Sequence, residues 1–285
     1  MYDKKIIVAK NAGFCFGVKR AVDMVNDLLK EKKEIYMIGE LVHNNQVVET
    51  LEKKGLRTVK NLDEIPSSGV MVIRSHGVSI DIIDEAKRRG IEIIDATCPF
   101  VNKARIVARD FYKKGYETLI CGDKNHVEII GINSLTDNSA KIVSSVDQVK
   151  DVNFEKSIIG VMSQTTYKLS FLKDVVLALM DQGYKKIVME NTICLDSATK
   201  QAEIKSLAKE VDVMIVVGGK SSSNTNKLAE ISAAVGTMTH HIETANELKK
   251  EWFAKANNIG VAAGASTAQF LIDDVITRIN KIIKI

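Results

Sequence analysis

Residues 213–235 read VMIVVGGKSSSNTNKLAEISAAV, and this stretch decides the class of the fold. The five consecutive apolar residues Val213–Val217 predict a buried strand. The pair Gly218–Gly219 predicts a turn, and the apolar period over Thr225–Val235 predicts a helix. Strand, glycine turn and helix are the building steps of a parallel βαβ sheet.

The same succession of strand, polar turn and helix recurs along the chain. The other strands are predicted at Lys5–Ala9, Ile35–Ile38, Val70–Arg74, Ile91–Ile94, Thr118–Cys121, Ile158–Met162, Lys186–Met189 and Ile259–Ala263. The other helices are predicted at Lys19–Lys33, Asp81–Arg89, Val101–Lys114, Lys168–Gln182, Thr199–Glu210 and Ala268–Lys281. Such alternation predicts an α/β protein whose mostly parallel sheets are covered by helices on both faces.

The spacing of three cysteines predicts a threefold internal repeat. A polar residue at a predicted strand end lies 28 residues after each one: His43 after Cys15, His126 after Cys98, and Ser222 after Cys194. A further polar strand end follows in each repeat, at His76, Gln164 and Ser266. We therefore expect three α/β units at residues 1–97, 98–193 and 194–285, with the C-terminal tail free to pack on the first.

The composition and the charge of the chain argue against several classes of function. The chain has 285 residues, of which 45% are hydrophobic and 27% charged, with a net charge of +4. No basic run marks a nucleic-acid surface. The opening residues 1–7 lack the apolar core of a secretory signal, and no apolar run approaches the length of a membrane span. We expect a cytoplasmic protein that uses neither nucleic acid nor a membrane.

Dispersed cysteines in a reducing compartment are metal ligands, nucleophiles or buried apolar residues. Cys121 ends an apolar strand, which predicts a buried hydrophobic role. Cys15, Cys98 and Cys194 have polar or glycine-containing surroundings. If the three repeats pack around an axis, these three thiolates are able to hold an iron–sulfur cluster or a zinc ion.

Polar side chains at the predicted strand ends suggest a ligand site, since α/β sheets bind ligands outside the carboxyl ends of their strands. His43, His76 and His126 all fall there. His126 and Glu128 share one turn, and a histidine beside a carboxylate suits proton delivery. The run Ser222–Asn224 before a helix is typical either of a helix cap or of a phosphate site.

The ordered motifs also carry a family resemblance over nearly the whole chain. They are Asn11–Val22, Leu41–Asn44, Arg74–Gly77, Asp95–Pro99, Asn125–Glu128, Ser163–Thr166, Asn191–Cys194, Ser222–Asn224 and Gly264–Thr267. Together they resemble the 4-hydroxy-3-methylbut-2-enyl diphosphate reductase family, whose reaction ends the methylerythritol phosphate route to isoprenoids.

The resemblance implies a trefoil of three α/β units around a central iron–sulfur cluster. Cys15, Cys98 and Cys194 match the ligands of one [4Fe–4S] cluster per chain, with one iron left open for substrate. Glu128 matches the proton-supplying residue, with Thr165 in its hydrogen-bond network and His126 taking part. The substrate-binding residues implied are His43, His76, His126, Gln164, Thr165, Ser222, Ser223, Asn224 and Ser266.

The reaction implied is a two-electron reductive dehydration of the allylic diphosphate to isopentenyl and dimethylallyl diphosphate, with ferredoxin or flavodoxin as electron donor. Several positions depart from the family pattern, among them the segment Leu195–Gln201 after Cys194. Val127 and Ala268 stand where the family often has proline, and Lys200 stands where it has arginine.

Two other functions stay open on the residues alone. One is a zinc- or iron-dependent hydrolase of a phosphorylated small molecule, which needs no electron donor. The other is a non-catalytic iron–sulfur redox sensor, which needs no proton source such as Glu128.

Overall fold

The computed structural model describes residues 4–31, 34–155 and 158–284. The end of the helix predicted at Lys19–Lys33 lies outside these residues. Within them, twelve strands and nine α-helices alternate. In the same ranges, no helix combines the length and the apolar character needed to cross a bilayer.

The strands are β1 Lys5–Val8, β2 Ile35–Ile38, β3 Arg57–Val59, β4 Val70–Ile73, β5 Glu92–Asp95, β6 Glu117–Cys121, β7 Lys141–Val143, β8 Ile159–Ser163, β9 Ile187–Met189, β10 Val213–Val217, β11 Met238–Ile242 and β12 Asn258–Ala263. The helices are α1 Phe16–Lys30, α2 Asn45–Glu52, α3 Ile80–Arg88, α4 Pro99–Lys113, α5 Val127–Asn133, α6 Leu169–Asp181, α7 Leu195–Leu207, α8 Ser223–Ala234 and α9 Gln269–Ile283.

The strands form three parallel sheets of four strands each, in the orders β5-β4-β2-β3, β9-β8-β6-β7 and β1-β12-β10-β11. The order is the same in all three when each sheet is read from the strand that precedes a cysteine. The predicted α/β class with three parallel-sheet units is therefore confirmed.

The strand β1 pairs with β12, with Lys5 opposite Asn258 and Val8 opposite Val261. The N-terminal strand thus completes the last sheet, although the sequence analysis grouped residues 1–97 into a first unit. In each sheet, one edge strand (β1, β5 or β9) precedes a cysteine along the chain. The helix after that cysteine is followed by a strand of another sheet. The proposed boundaries after residues 97 and 193 stay a prediction.

By contacts the chain divides into two compact units. The first consists of residues 4–19, 42–50 and 195–284 of the described chain, and it contains the β1-β12-β10-β11 sheet. Helix α9 covers one face of this sheet with Val275 and Ile279, and Ile204 of α7 and Leu228 of α8 pack on the other. Burying each such aliphatic side chain contributes roughly 1.5–3 kcal/mol.

The second unit consists of the described residues from 20–41 and 51–194, and it contains the other two sheets. In the β9-β8-β6-β7 sheet, helix α6 packs Leu172 and Val175 on one face, and α4 packs Phe111 on the other. A Cβ at Gly160 of β8 would lie 2.4 Å from the Phe111 ring. Glycine at this position therefore sets how closely α4 approaches its sheet.

Candidate active site

The three sequence-predicted cysteines occupy equivalent places in the three sheets. Each backbone N–H donates to the carbonyl oxygen two residues beyond a strand end: Cys15 to Ala265 at 3.1 Å, Cys98 to Ser75 at 2.9 Å and Cys194 to Thr165 at 2.9 Å. Each cysteine directly precedes a helix, namely α1, α4 or α7. The 28-residue spacing therefore reflects a repeated local structure.

The settings of these thiols differ from that of Cys121. Cys15, Cys98 and Cys194 are half-buried. The Cys15 Sγ accepts the N–H of Val18 at 3.4 Å, in the first turn of α1. Burial raises the pKa of the Cys98 thiol, against the opposing effect of the N–H groups at the start of α4. Cys121 is fully buried, and burial raises its pKa to about 12, so that it stays a neutral thiol.

Half-buried thiols at helix N-termini suit a soft metal centre, because the helix dipole favours the thiolate that binds iron or zinc. Cys15 belongs to the first unit, and Cys98 and Cys194 belong to the second. Within the described ranges, no group of three or more His, Cys, Asp or Glu side chains lies close enough together to hold a metal ion. What favours a metal centre is therefore the position of each cysteine, half-buried and directly before a helix.

In the first unit, three sequence-predicted regions come together at the carboxyl end of the sheet. The Ser266 hydroxyl, in the turn after β12, donates to the backbone carbonyl of His43 at 3.1 Å. A Cβ at Gly219, in the turn after β10, would lie 2.3 Å from the same carbonyl oxygen. Glycine at 219 therefore lets the turn that leads to Ser222 touch the segment that carries His43.

The start of α8 carries buried polar groups that call for a ligand. Ser222 caps the helix by accepting the N–H of Thr225 at 3.3 Å. Asn224 is buried, and in the described part of the chain neither its amide nitrogen nor its amide oxygen has a hydrogen-bond partner. Leaving such atoms unpaired costs about 1–3 kcal/mol. A polar ligand at this helix N-terminus would recover that cost.

In the second unit, two histidines meet at the carboxyl ends of adjacent sheets. The rings of His76, after β4, and His126, after β6, lie edge to face with centroids 5.7 Å apart. His126 also caps α5, since its Nδ1 accepts the N–H of Glu128 at 3.2 Å. The His126 ring thus contacts the Glu128 backbone, and the joint role of the two side chains in proton delivery stays a prediction.

The carboxyl group of Glu128 is enclosed. The residue is 1% exposed. Thr165 donates to both of its oxygens, with N–H to Oε1 and hydroxyl to Oε2 both at 2.7 Å. Burial raises the pKa of Glu128, and the two bonds from Thr165 act in the opposite direction. A buried carboxyl of raised pKa keeps its proton to higher pH and can deliver it to a bound molecule.

The fully buried Gln164 links the two turns beside Glu128. Its Oε1 accepts the N–H of Asp123, in the turn after β6, at 3.1 Å, and its Nε2 donates to the Thr166 hydroxyl at 3.2 Å. Its amide group thus bonds to the protein itself, which supports an ordering role.

Thr225 was not predicted from the sequence as a residue of the candidate site. Its hydroxyl packs where a Cβ at Gly264 would lie 1.9 Å away and a Cβ at Gly218 2.7 Å away. It therefore fixes the two glycine turns of the first unit. Its one sequence signal is its position three residues after the N-cap Ser222, which is also an ordinary place for a threonine.

Two departures from the family pattern, Val127 and Ala268, lie at the beginnings of helices, and both helices form. Val127 is the first residue of α5, a position where proline is favourable but not required. Ala268 is the N-cap of α9 and lies in extended backbone.

The family model described as "LytB protein" matches residues 6–280. A protein of Clostridioides difficile (strain 630), named 4-hydroxy-3-methylbut-2-enyl diphosphate reductase, is 44% identical over 95% of this chain and 98% of its own length. A protein of the same name from Pelobacter propionicus is 44% identical over 98% of this chain and 99% of its own.

Two solved structures are similar as well. The E-1-hydroxy-2-methyl-but-2-enyl-4-diphosphate reductase from Plasmodium falciparum has a TM-score of 0.91 at 30% identity, over 96% of this chain and 87% of that one. A structure described as (E)-4-hydroxy-3-methyl-but-2-enyl diphosphate reductase, the terminal enzyme of the non-mevalonate pathway, has a TM-score of 0.71 at 37% identity, over 99% and 100%.

Three parallel-sheet α/β units with polar clusters beyond their strand ends define an α/β enzyme. The matches over almost the full length then show which one: the chain belongs to the LytB family of reductases. The family resemblance read from the ordered motifs is confirmed.

Proposed function

We propose that the protein is an iron–sulfur enzyme that reduces 4-hydroxy-3-methylbut-2-enyl diphosphate to isopentenyl and dimethylallyl diphosphate, as the last step of the methylerythritol phosphate pathway. The reaction consumes two electrons and two protons, breaks the allylic C–O bond and releases water. The observation that carries the proposal is the enclosed Glu128 carboxyl with its raised pKa, beside the His76–His126 pair.

We infer that Cys15, Cys98 and Cys194 bind one [4Fe–4S] cluster per chain, since all three sit at equivalent helix starts. When bound, this group supplies the electrons and Lewis acidity that the reduction needs. Ferredoxin or flavodoxin is the proposed electron donor, and the cytoplasm is the proposed compartment.

The chain's own residues handle the proton and the diphosphate. Glu128 holds a proton in a site closed to water, and Thr165 orients its carboxyl through both oxygens. His126 accepts the N–H of Glu128 at its Nδ1, and it is the proposed partner of Glu128 in proton transfer. His43, His76, Ser222, Ser223, Asn224 and Ser266 are the proposed diphosphate ligands.

Neutral hydrogen-bond donors at a helix N-terminus suit a diphosphate, because their dipoles and the free N–H groups of the helix stabilise its negative charge. The buried amide of Asn224 supports this assignment most directly, because a phosphate oxygen would satisfy its Nδ2 donor.

The test is turnover of the allylic diphosphate by anaerobically reconstituted protein with a reduced viologen donor, with both five-carbon products detected by mass spectrometry. We expect both products from the unaltered chain. Asn224→Ala should raise KM by about 10-fold or more, the loss expected for one charged hydrogen bond. Release of inorganic phosphate without electron consumption would instead indicate a hydrolase.

A further inference from the structure

Arg105 is a charged residue on the apolar side of its helix. It lies on α4 one residue after Ala104 and three before Ala108, both of which are fully buried, and it is itself only 9% exposed. Burial lowers the pKa of Arg105, against the opposing charge of Asp95. A guanidinium in this position is costly unless its N–H groups find acceptors.

The acceptors are two backbone carbonyls, one shortly after His76 and one in the helix that carries Glu128. Arg105 Nη1 donates to the carbonyl oxygen of Val78 at 2.6 Å and of Gly131 at 3.4 Å. Val78 comes two residues after His76, and Gly131 comes three residues after Glu128 in α5. One side chain thus bridges the turn that carries His76 and the helix that carries Glu128.

A second side chain makes the same bridge. The Ser134 hydroxyl donates to the carbonyl oxygen of Gly131 at 2.9 Å and accepts the N–H of Ile80 at 3.0 Å. Ser134 is buried and follows α5 directly, and Ile80 begins α3 just beyond the His76 turn. The carbonyl of Gly131 therefore receives donors from both Arg105 and Ser134.

The backbone is shaped to admit the guanidinium. Gly77, next to His76, has a φ of +75°, and a Cβ there would lie 2.9 Å from Arg105 Nη1. A Cβ at Gly131 would lie 3.1 Å from the same atom. Glycine stands at both points where the two segments face Arg105, so that the guanidinium fills a space that a larger residue at either point would occupy.

We propose that Arg105 is a positioning residue that, with Ser134, fixes the His76 turn against α5 and so sets the place of His76 relative to His126 and Glu128. Its effect on catalysis rests on the proposed function; its effect on the His76 turn does not. Arg105 acts through His76 and Glu128 and needs no contact with substrate.

The experiment compares three variants of the full chain. Arg105→Met keeps an unbranched apolar side chain and removes the donors, whereas Arg105→Lys keeps one charged donor group. Arg109→Met is the matched control, since Arg109 lies one turn further along α4 and is exposed. Each variant is examined for amide hydrogen exchange in residues 74–82 and for KM and kcat with the allylic diphosphate, at temperatures where it stays folded.

We expect Arg105→Met to speed exchange in residues 74–82 by about 10-fold or more and to lower kcat/KM by roughly 10- to 100-fold, mainly through KM. Arg105→Lys should recover part of both effects, and Arg109→Met should match the unaltered chain. The proposal is overturned if Arg105→Met melts earlier but exchanges and binds substrate as Arg109→Met does.

The exchange measurement separates this proposal from the proposed function. Absence of turnover in the unaltered chain would contradict the proposed reductase function. Fast exchange confined to Arg105→Met would still support the positioning role in that case, and unchanged exchange would reject it.

Discussion

At Glu128, one carboxyl group is held away from water and receives both of its hydrogen bonds from Thr165. Burial raises its pKa. Below the ordinary carboxyl pKa near 4.5, Glu128 is neutral in the folded and unfolded chain alike. As the pH rises towards the folded pKa, the unfolded chain ionises first, and the favourable contribution of the neutral buried acid is lost.

Glu128→Gln should therefore lower turnover by at least about 100-fold, because the amide carries no transferable proton. The folding stability of this variant should also no longer fall as the pH rises, because the amide does not ionise. The measurement is kcat together with the melting temperature between about pH 5 and pH 9, where the variant should gain on the unaltered chain as the pH rises.

The matched control is Glu49→Gln, the same chemical change at an exposed position of α2. It should leave both kcat and the pH dependence of the melting temperature unchanged. Full turnover by Glu128→Gln would remove Glu128 from the reaction.

The contacts of Glu128 show what can and cannot be predicted from the sequence. His126 and Glu128 are neighbours along the chain, so their joint place at one helix start was open to sequence reasoning. Thr165 is 37 residues from Glu128. Its contact forms only because β6 and β8 pair and bring their turns together, and it was reached through the family resemblance alone.

Among the elements, helix α7 holds the segment that leads into Cys15. Lys200 is buried and donates from its Nζ to the carbonyl oxygens of Asn11 and Gly13, the latter at 3.0 Å. Glu203 accepts the backbone N–H of Asn11 at 3.1 Å and its side-chain amide at 2.8 Å. Asp196 Oδ2 lies 3.9 Å from Lys200 Nζ and offsets part of its charge.

Lys200→Met should loosen residues 10–13 and reduce how firmly Cys15 retains iron. Losing hydrogen bonds from a charged donor costs about 2 kcal/mol, which lowers the melting temperature by roughly 3 °C for a chain of this size. The measurement is iron retained per chain after anaerobic reconstitution and desalting, where the variant should hold clearly less than the unaltered protein.

Lys200→Arg, which restores a charged donor, should retain iron normally. Lys205→Met, an exposed change on the same helix, serves as the control. Equal iron retention by Lys200→Met and Lys205→Met would show that this contact does not support Cys15.

Element prediction succeeded where a strand is a buried apolar run, as in β2 and β10, whose bounds match the sequence analysis. It missed β3, β7 and β11, which have three to five residues and mix polar with apolar side chains. It also missed α2 and α5, because eight and seven residues are too few to display a helical period.

Along the whole chain, one repeat explains the sheet order, the 28-residue spacing and the three equivalent cysteine contacts. The spacing was visible in the sequence. The pairing of β1 with β12 was not, because a parallel contact between the two ends of a chain leaves no local pattern. The burial of Arg105 was not visible in the sequence either, because the sequence shows only a charged residue among the apolar residues of α4.

Whether three of the four cysteines bind an iron–sulfur cluster is tested by the iron and acid-labile sulfide content of anaerobically reconstituted protein, compared among alanine variants of single cysteines. The unaltered chain and Cys121→Ala should each bind about four iron and four sulfide per chain, because Cys121 is fully buried among the apolar core residues of its sheet. Cys15→Ala, Cys98→Ala and Cys194→Ala should each lose most of both. Zinc without sulfide in the unaltered chain, or loss of iron in Cys121→Ala alone, would contradict the account.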